Sequence, residues 1–264
     1  MQSPPPSPTD LMAASQAFEE ELSHFRNQAE GTTQIFGAFI GINNSISLWP
    51  EIRDAIQPAA LFWNTIIAAL QTSVFIGLAR MFDHGSEHNI YRLIALAQGN
   101  PVKGEACPLS VSALRLRKRG NSPSDPEWLD NFIAGISDPS ADDFRSLRKS
   151  VDERRRVYER KYRPIRHRHY AHSETIDKAE LSKLFAQTNI GEIESLLDFV
   201  CALHEALIES FNNGSPLRLN VDDDGRNQRM RGLYARIQGD AQKTLDAIAA
   251  GTAHANREFC TPKR

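Results

Sequence analysis

The 25 residues from Ala55 to Ala79, AIQPAALFWNTIIAALQTSVFIGLA, carry no charge. A run of this length and apolarity has two folded fates, a bilayer span or a helix packed among other helices. Polar side chains interrupt it: Gln57, Asn64, Thr65, Gln71, Thr72 and Ser73, with Pro58 near its start. Asn64 and Gln71 are seven apart, two helical turns, so they share a face. The reading that follows is a buried helix of a soluble bundle with a polar seam, and no membrane contact is expected.

The rest of the chain agrees with that fold class. Apolar residues recur at three- and four-residue spacing, and no alternating run points to a strand. An all-α protein is expected, a single helical bundle with a loop-rich insert near 99–140. Residues 1–9, with MQSPPPSPT, read as a disordered tail, 10–250 as the helical domain and 251–264 as a flexible tail. Asp10 to Glu30 reads as a first helix capped by Thr9 or Asp10. QIFGAFIGINNSISLW reads as a second, breaking near Asn43–Asn44. The apolar helix should run from about Pro58 to Asp83, with HGSE as a turn after it. EHNIYRLIALAQGN follows as a helix stopped at Gly99. VSALRLRKRG is a short helix inside the insert. In DDFRSLRKSVDERRRVYERKYRPI, residues Phe144, Leu147, Val151, Tyr158, Tyr162 and Ile165 form one apolar stripe. Pro164 removes a hydrogen bond there, so that helix should kink or end near Tyr162. A short helix in Ser173–Gln187, an amphipathic one over IGEIESLLDFVCALHEALIESF and a last one over RNQRMRGLYARIQGDAQKTLDAIAA complete the bundle.

Formal net charge is −2, so nothing global draws the chain to nucleic acid, and a polyanion must be met by a local patch. Cys107, Cys201 and Cys260 are scattered, with no C-x-x-C pair, which disfavours both a zinc cluster and a disulfide framework. With no secretory signal at the N-terminus, a cytoplasmic location is expected.

One local patch exists. Between Arg145 and Arg168 the chain has eleven Lys or Arg against three Asp or Glu. It ends in YRPIRHRHYAHSE, with three arginines and three histidines in thirteen positions. A solvated helix face is one explanation of such a run; a surface for a phosphate backbone is the other. Arginine and histidine together suit metal-free RNA cleavage. An imidazole of pKa ~6.5 exchanges a proton near neutrality. A guanidinium holds phosphate through paired hydrogen bonds and offsets charge in the transition state. His169 and His172 have a spacing that a zinc ion could use. However, no cysteine or carboxylate stands as an obvious third ligand, and flanking arginines repel a cation. No metal or other cofactor is expected. Arg80 and Asp83, three apart in LARMFD, read as a local ion pair with a structural role.

RHRHYAH is similar to the signature of the HEPN superfamily, an Arg, then a polar Asn, Asp or His, then a His, with four to six residues between the Arg and the last His. Arg166, His167 and His172 fit it, with five residues between the Arg and the His. YAHSE, and WNTIIAALQTSVFIGLARMFD followed by NIYRLI, resemble the abortive-infection, AbiU-like branch. The resemblance covers Phe62 to Ala97 and Val151 to Glu174. It implies a helical bundle that forms a homodimer, bringing two Arg/His motifs into one cleft. It further implies a metal-independent endoribonuclease of a toxin–antitoxin or phage-defence system, leaving 2′,3′-cyclic phosphate ends on RNA, with an antitoxin protein as a further partner. Carried over, His172 is the general acid/base, Arg166 holds the scissile phosphate and His167 positions one or the other. Charge adds Arg163 and Arg168, with the neighbouring His169, as outer substrate contacts. Members of the superfamily that have lost catalysis suggest a different function, a helical module that binds RNA, a nucleotide or a protein partner. A plain structural bundle with a basic, solubilising face is the third.

Overall fold

Ser7 starts the first helix. Its hydroxyl accepts from the Asp10 amide at 3.2 Å while the Asp10 carboxylate accepts from the Ser7 amide at 3.1 Å. This reciprocal cap, with Pro8 at the first helical position, replaces the expected Thr9 or Asp10. The computed structural model describes residues 6–100, 104–120, 124–167, 183, 186–219 and 228–260. Every named element is helical: α1 (Pro8–Leu48), α2 (Pro50–Ile56), α3 (Ala60–Phe82), α4 (Ile90–Gln98), α5 (Val111–Arg119), α6 (Glu127–Ile133) and α7 (Ala141–Val157). A π turn (Tyr158–Tyr162) leads into α8 (Arg163–Ile165), and α9 (Ile190–Asn213) and α10 (Gln228–Cys260) follow. The all-α class is therefore correct. The helix expected in Ser173–Gln187 lies almost wholly outside the described residues.

The described chain divides into two compact units. One holds α1 as far as Ala29 together with Leu78–Asn227; the other holds Glu30–Gly77 together with the chain from Gln228.

The first unit is built on the apolar faces of α7 and α9. Phe144, Leu147, Val151, Tyr158, Tyr162 and Ile165 are all buried, as the stripe requires. So are Ile193, Leu196, Leu197, Val200, Leu203, Leu207 and Phe211 on α9. Phe18 of α1 meets Phe211 with ring centres 5.3 Å apart, and Phe82 stacks on Tyr158 at 5.7 Å. The insert contributes α5 and α6. Arg117 of α5 lies over the Phe211 ring at 3.8 Å and donates to the Pro108 carbonyl at 2.7 Å. Burial lowers its pKa to about 10. The turn before α4 is held by Asn89, whose carboxamide oxygen accepts from the Tyr91 and Arg92 amides and whose nitrogen donates to Ser86. Beside it His88 Nδ1 lies 3.0 Å from the buried Glu21.

In the second unit α1 does not break at Asn43–Asn44. Asn43 donates to the Phe39 carbonyl four residues back at 2.7 Å, so the amide that favours turns is tied to the helix itself. The Ser45 hydroxyl reaches Gln242 of α10 at 2.6 Å. Close approach needs glycine here. A Cβ at Gly41 would stand 3.0 Å from that of Ala241, and one at Gly77 would stand 2.2 Å from the Thr32 hydroxyl. α10 runs to Cys260, beyond the Gly251 at which the sequence reading ended it.

The expectation for α3 needs correction. Its most apolar 18-residue window is only 11% buried. By length and composition Pro50–Phe82 could cross a membrane, a test that core helices of soluble proteins also pass. Val74 and Phe75 are buried, but Leu61 is 84% and Phe62 61% exposed. Apolar periodicity reports that a helix forms, not which of its faces the rest of the chain covers.

Candidate functional site

Two elements of the first unit make a cleft of about 380 Å³, lined by Ala79, Arg80, Asp83, His84, Gly85, Ser86, Arg155, Glu159, Arg163 and Arg166. The end of α3 supplies Arg80 and, just beyond it, Asp83. α7 and its extension supply Arg155, Glu159, Arg163 and Arg166 at spacings of four, four and three, one face of a helix.

Pro164 explains how that face continues. In an α ladder its missing N–H would leave the Arg160 carbonyl without a partner. The ladder instead widens into a π turn, with the Arg163 amide donating to the Tyr158 carbonyl five residues back. Pro164 then lies in the first positions of α8, where no N–H is needed. The helical path reaches His167 rather than ending near Tyr162. The π turn is pinned from below: Tyr162 Oη lies 3.1 Å from the Asn189 carbonyl and 3.2 Å from Glu192, and Lys161 pairs with Glu192. Burial raises the pKa of Tyr162 above the ordinary phenol range.

Asp83 is the hub. Its Oδ2 accepts from Arg166 Nη1 at 3.1 Å and from the Tyr158 hydroxyl at 3.4 Å, and its Oδ1 lies 3.7 Å from Arg163 Nε. Burial, then the Asp83 charge, pushes the Tyr158 phenol well up, so it stays a donor. Opposite, Arg155 donates to Glu159 at 2.6 Å and to His84 Nε2. The His84 ring lies 4.1 Å from that of Tyr91, whose hydroxyl donates to Asp152 at 2.6 Å. Burial, reinforced by Asp152, raises Tyr91 to about 12.

Four guanidiniums against two carboxylates give the arginines and carboxylates of the lining a net +2, counted as 4 − 2. A concave, cationic wall of this kind can hold an anion with several oxygens. Among the described residues no three His, Cys, Asp or Glu stand together as a metal site.

Of the residues singled out from sequence, Arg166 and Arg163 come together in the cleft. His167 is exposed and is not part of the lining. Arg168, His169 and His172 lie outside the described residues. Arg80 and Asp83 do not pair simply with each other; both line the cleft, and Asp83 turns to the motif arginine. Sequence reasoning missed Arg155, Glu159 and His84. The first two were visible as the 155, 159, 163, 166 spacing. His84 had one cue, its place directly after LARMFD.

An all-α chain with an arginine-lined cleft at an Arg/His motif is the class defined so far. The family model for AbiU2, a HEPN family, matches residues 15–229, and the chain belongs to that family. The match is much wider than the two segments that carry the resemblance. No curated protein and no solved structure matches the chain.

Proposed function

We propose that this protein is a metal-independent endoribonuclease of a toxin–antitoxin or phage-defence system, acting in the cytoplasm on RNA. The carrying observation is the cleft in which Arg80, Arg155 and Arg163 surround the motif Arg166. In the proposed reaction the RNA 2′-oxygen bonds to phosphorus and the bond to the 5′-oxygen breaks, giving a 2′,3′-cyclic phosphate. His172 moves the proton, Arg166 holds the phosphate as its charge grows, and His167 positions them. Arg163, Arg168 and His169 guide the flanking backbone.

One observation favours a second reading. Arg166 already holds a carboxylate at 3.1 Å, and that bond must loosen before a phosphate is taken. A non-catalytic module that binds RNA, a nucleotide or a protein partner has no need to loosen it. The deciding experiment incubates purified protein with mixed RNA in EDTA, beside His172→Ala and Arg166→Ala, and analyses the ends. Cyclic phosphates from the parent alone support the nuclease. Retained RNA binding with no cleavage by any of the three supports the binding module.

A further inference from the structure

Cleavage of RNA through its own 2′-hydroxyl moves two protons. One leaves the 2′-oxygen as it bonds to phosphorus, and one must reach the 5′-oxygen as its bond to phosphorus breaks. In the nuclease reading His172 takes the first. Few groups in the cleft can supply the second. Arginine donates hydrogen bonds but keeps its proton. The carboxylates are engaged, Asp83 by Arg166 at 3.1 Å and Glu159 by Arg155 at 2.6 Å. His84 remains, and among the described residues it is the only histidine in the lining.

Its setting differs from that of an ordinary surface histidine. His84 is exposed, yet its ring is held from two helices. Tyr91 of α4 lies against it, ring centres 4.1 Å apart, and is itself anchored through its hydroxyl on Asp152 of α7 at 2.6 Å. Arg155 of α7 meets Nε2, lies 5.3 Å from the centre of the Tyr91 ring and is anchored in turn by Glu159. Fixing an exposed side chain costs rotamer freedom, and a group that transfers protons has to be fixed by such a supporting shell. The other ring nitrogen, Nδ1, makes no hydrogen bond among the described residues, so it is open to what enters the cleft. His88, four positions on, is the contrast. Its Nδ1 lies 3.0 Å from the buried Glu21 and its ring stacks on His24 at 4.6 Å, so that ring is committed to packing.

We propose that His84 is the second proton carrier of the cleft, giving its proton to the RNA 5′-oxygen while His172 takes the proton of the 2′-hydroxyl. The bond from the 2′-oxygen to phosphorus forms and the bond from phosphorus to the 5′-oxygen breaks. One fragment leaves with a cyclic phosphate and the other with a 5′-hydroxyl. His84 ends one proton short and His172 one proton richer, and exchange with water resets both. The inference rests on the nuclease reading and adds a residue to it.

Sulphur in place of the 5′-oxygen provides the test, because a thiolate, whose thiol has a pKa of ~8.5, leaves without being protonated. A short RNA that the full-length protein cuts in EDTA is made with and without sulphur at the cut linkage. His84→Ala should slow cleavage of the oxygen linkage by about a hundredfold or more, and leave the sulphur linkage within about threefold of the parent. His84→Gln keeps an oxygen that accepts from Arg155 but has no imidazole to exchange a proton, and it should behave like His84→Ala. Circular dichroism checks that both variants fold. Equal loss on the two linkages, or equal retention, in folded protein overturns the proposal. So does recovery of oxygen-linkage cleavage in His84→Gln, which would make His84 a positioning residue for Arg155. A parent that cuts no RNA removes the nuclease reading and this inference with it. A parent that cuts, with His84 variants that match it, removes this inference alone.

Discussion

Replacing Asp83 by Asn removes the negative charge that Arg166 and Arg163 share while keeping the side chain's shape. The cleft then carries +3 in place of +2. RNA should bind more tightly, with the slope of log Kd against log salt steeper by about one ion. Arg166→Ala should do the opposite to binding, weakening it and reducing the slope by about one. A salt titration of both variants with one oligonucleotide checks this; equal slopes would mean that RNA does not enter the cleft. Arg166 and Arg163 were legible in the sequence because the local excess of arginine and histidine is chemically pointed. His84 was not, because a residue in a turn is positioned by what folds around it. Its contacts to Arg155 and Tyr91 span 71 and 7 positions of sequence, and no local pattern announces the longer one.

Among the elements, the segment from Tyr158 to Ile165 depends on neutral phenols. Tyr158 and Tyr162 are both held above the ordinary value of 10.0, chiefly by burial, and Tyr91 sits at about 12. The unfolded chain ionises these groups near 10, the folded chain higher. Their stabilising contribution is therefore complete below about pH 10 and is lost as pH rises towards the folded values. Urea midpoints followed through that window should fall steeply. Tyr158→Phe and Tyr162→Phe should flatten the fall, each lowering stability at neutral pH by about 1 kcal/mol for its lost hydrogen bond. The same segment shows where a local rule misleads. Proline was read as a break because the rule assumes an α ladder. The chain widened the ladder by one residue instead, and the apolar stripe on both sides of Pro164 stays buried.

At the scale of the whole molecule, the all-α class followed from periodicity alone, while the division into two units did not. Periodicity marks which residues want cover, and it is silent on which helix supplies it; α1 and α3 each contribute to both units. The close contact of α3 with α1 in the second unit is tight enough to test. Gly77→Ala should lower stability by about 1–3 kcal/mol, since its new methyl meets the buried Thr32 side chain. Thr32→Ala in the same chain should recover part of the loss in a denaturant titration.

The family match stops at residue 229, and α10 begins at Gln228. Almost the whole of that helix lies past the limit that likeness to relatives draws. Yet Ile237 and Ala241 fill the space that Gly37 and Gly41 leave open, and Leu245 buries Ile52 and Ile56. A chain ended at 229 should express poorly, bind a hydrophobic dye and give a broadened melting curve. A peptide of residues 228–260 supplied in trans should reverse the dye signal. That outcome would show inheritance and folding to have set different borders here: the recurring stretch of sequence would not be the smallest piece able to stand alone.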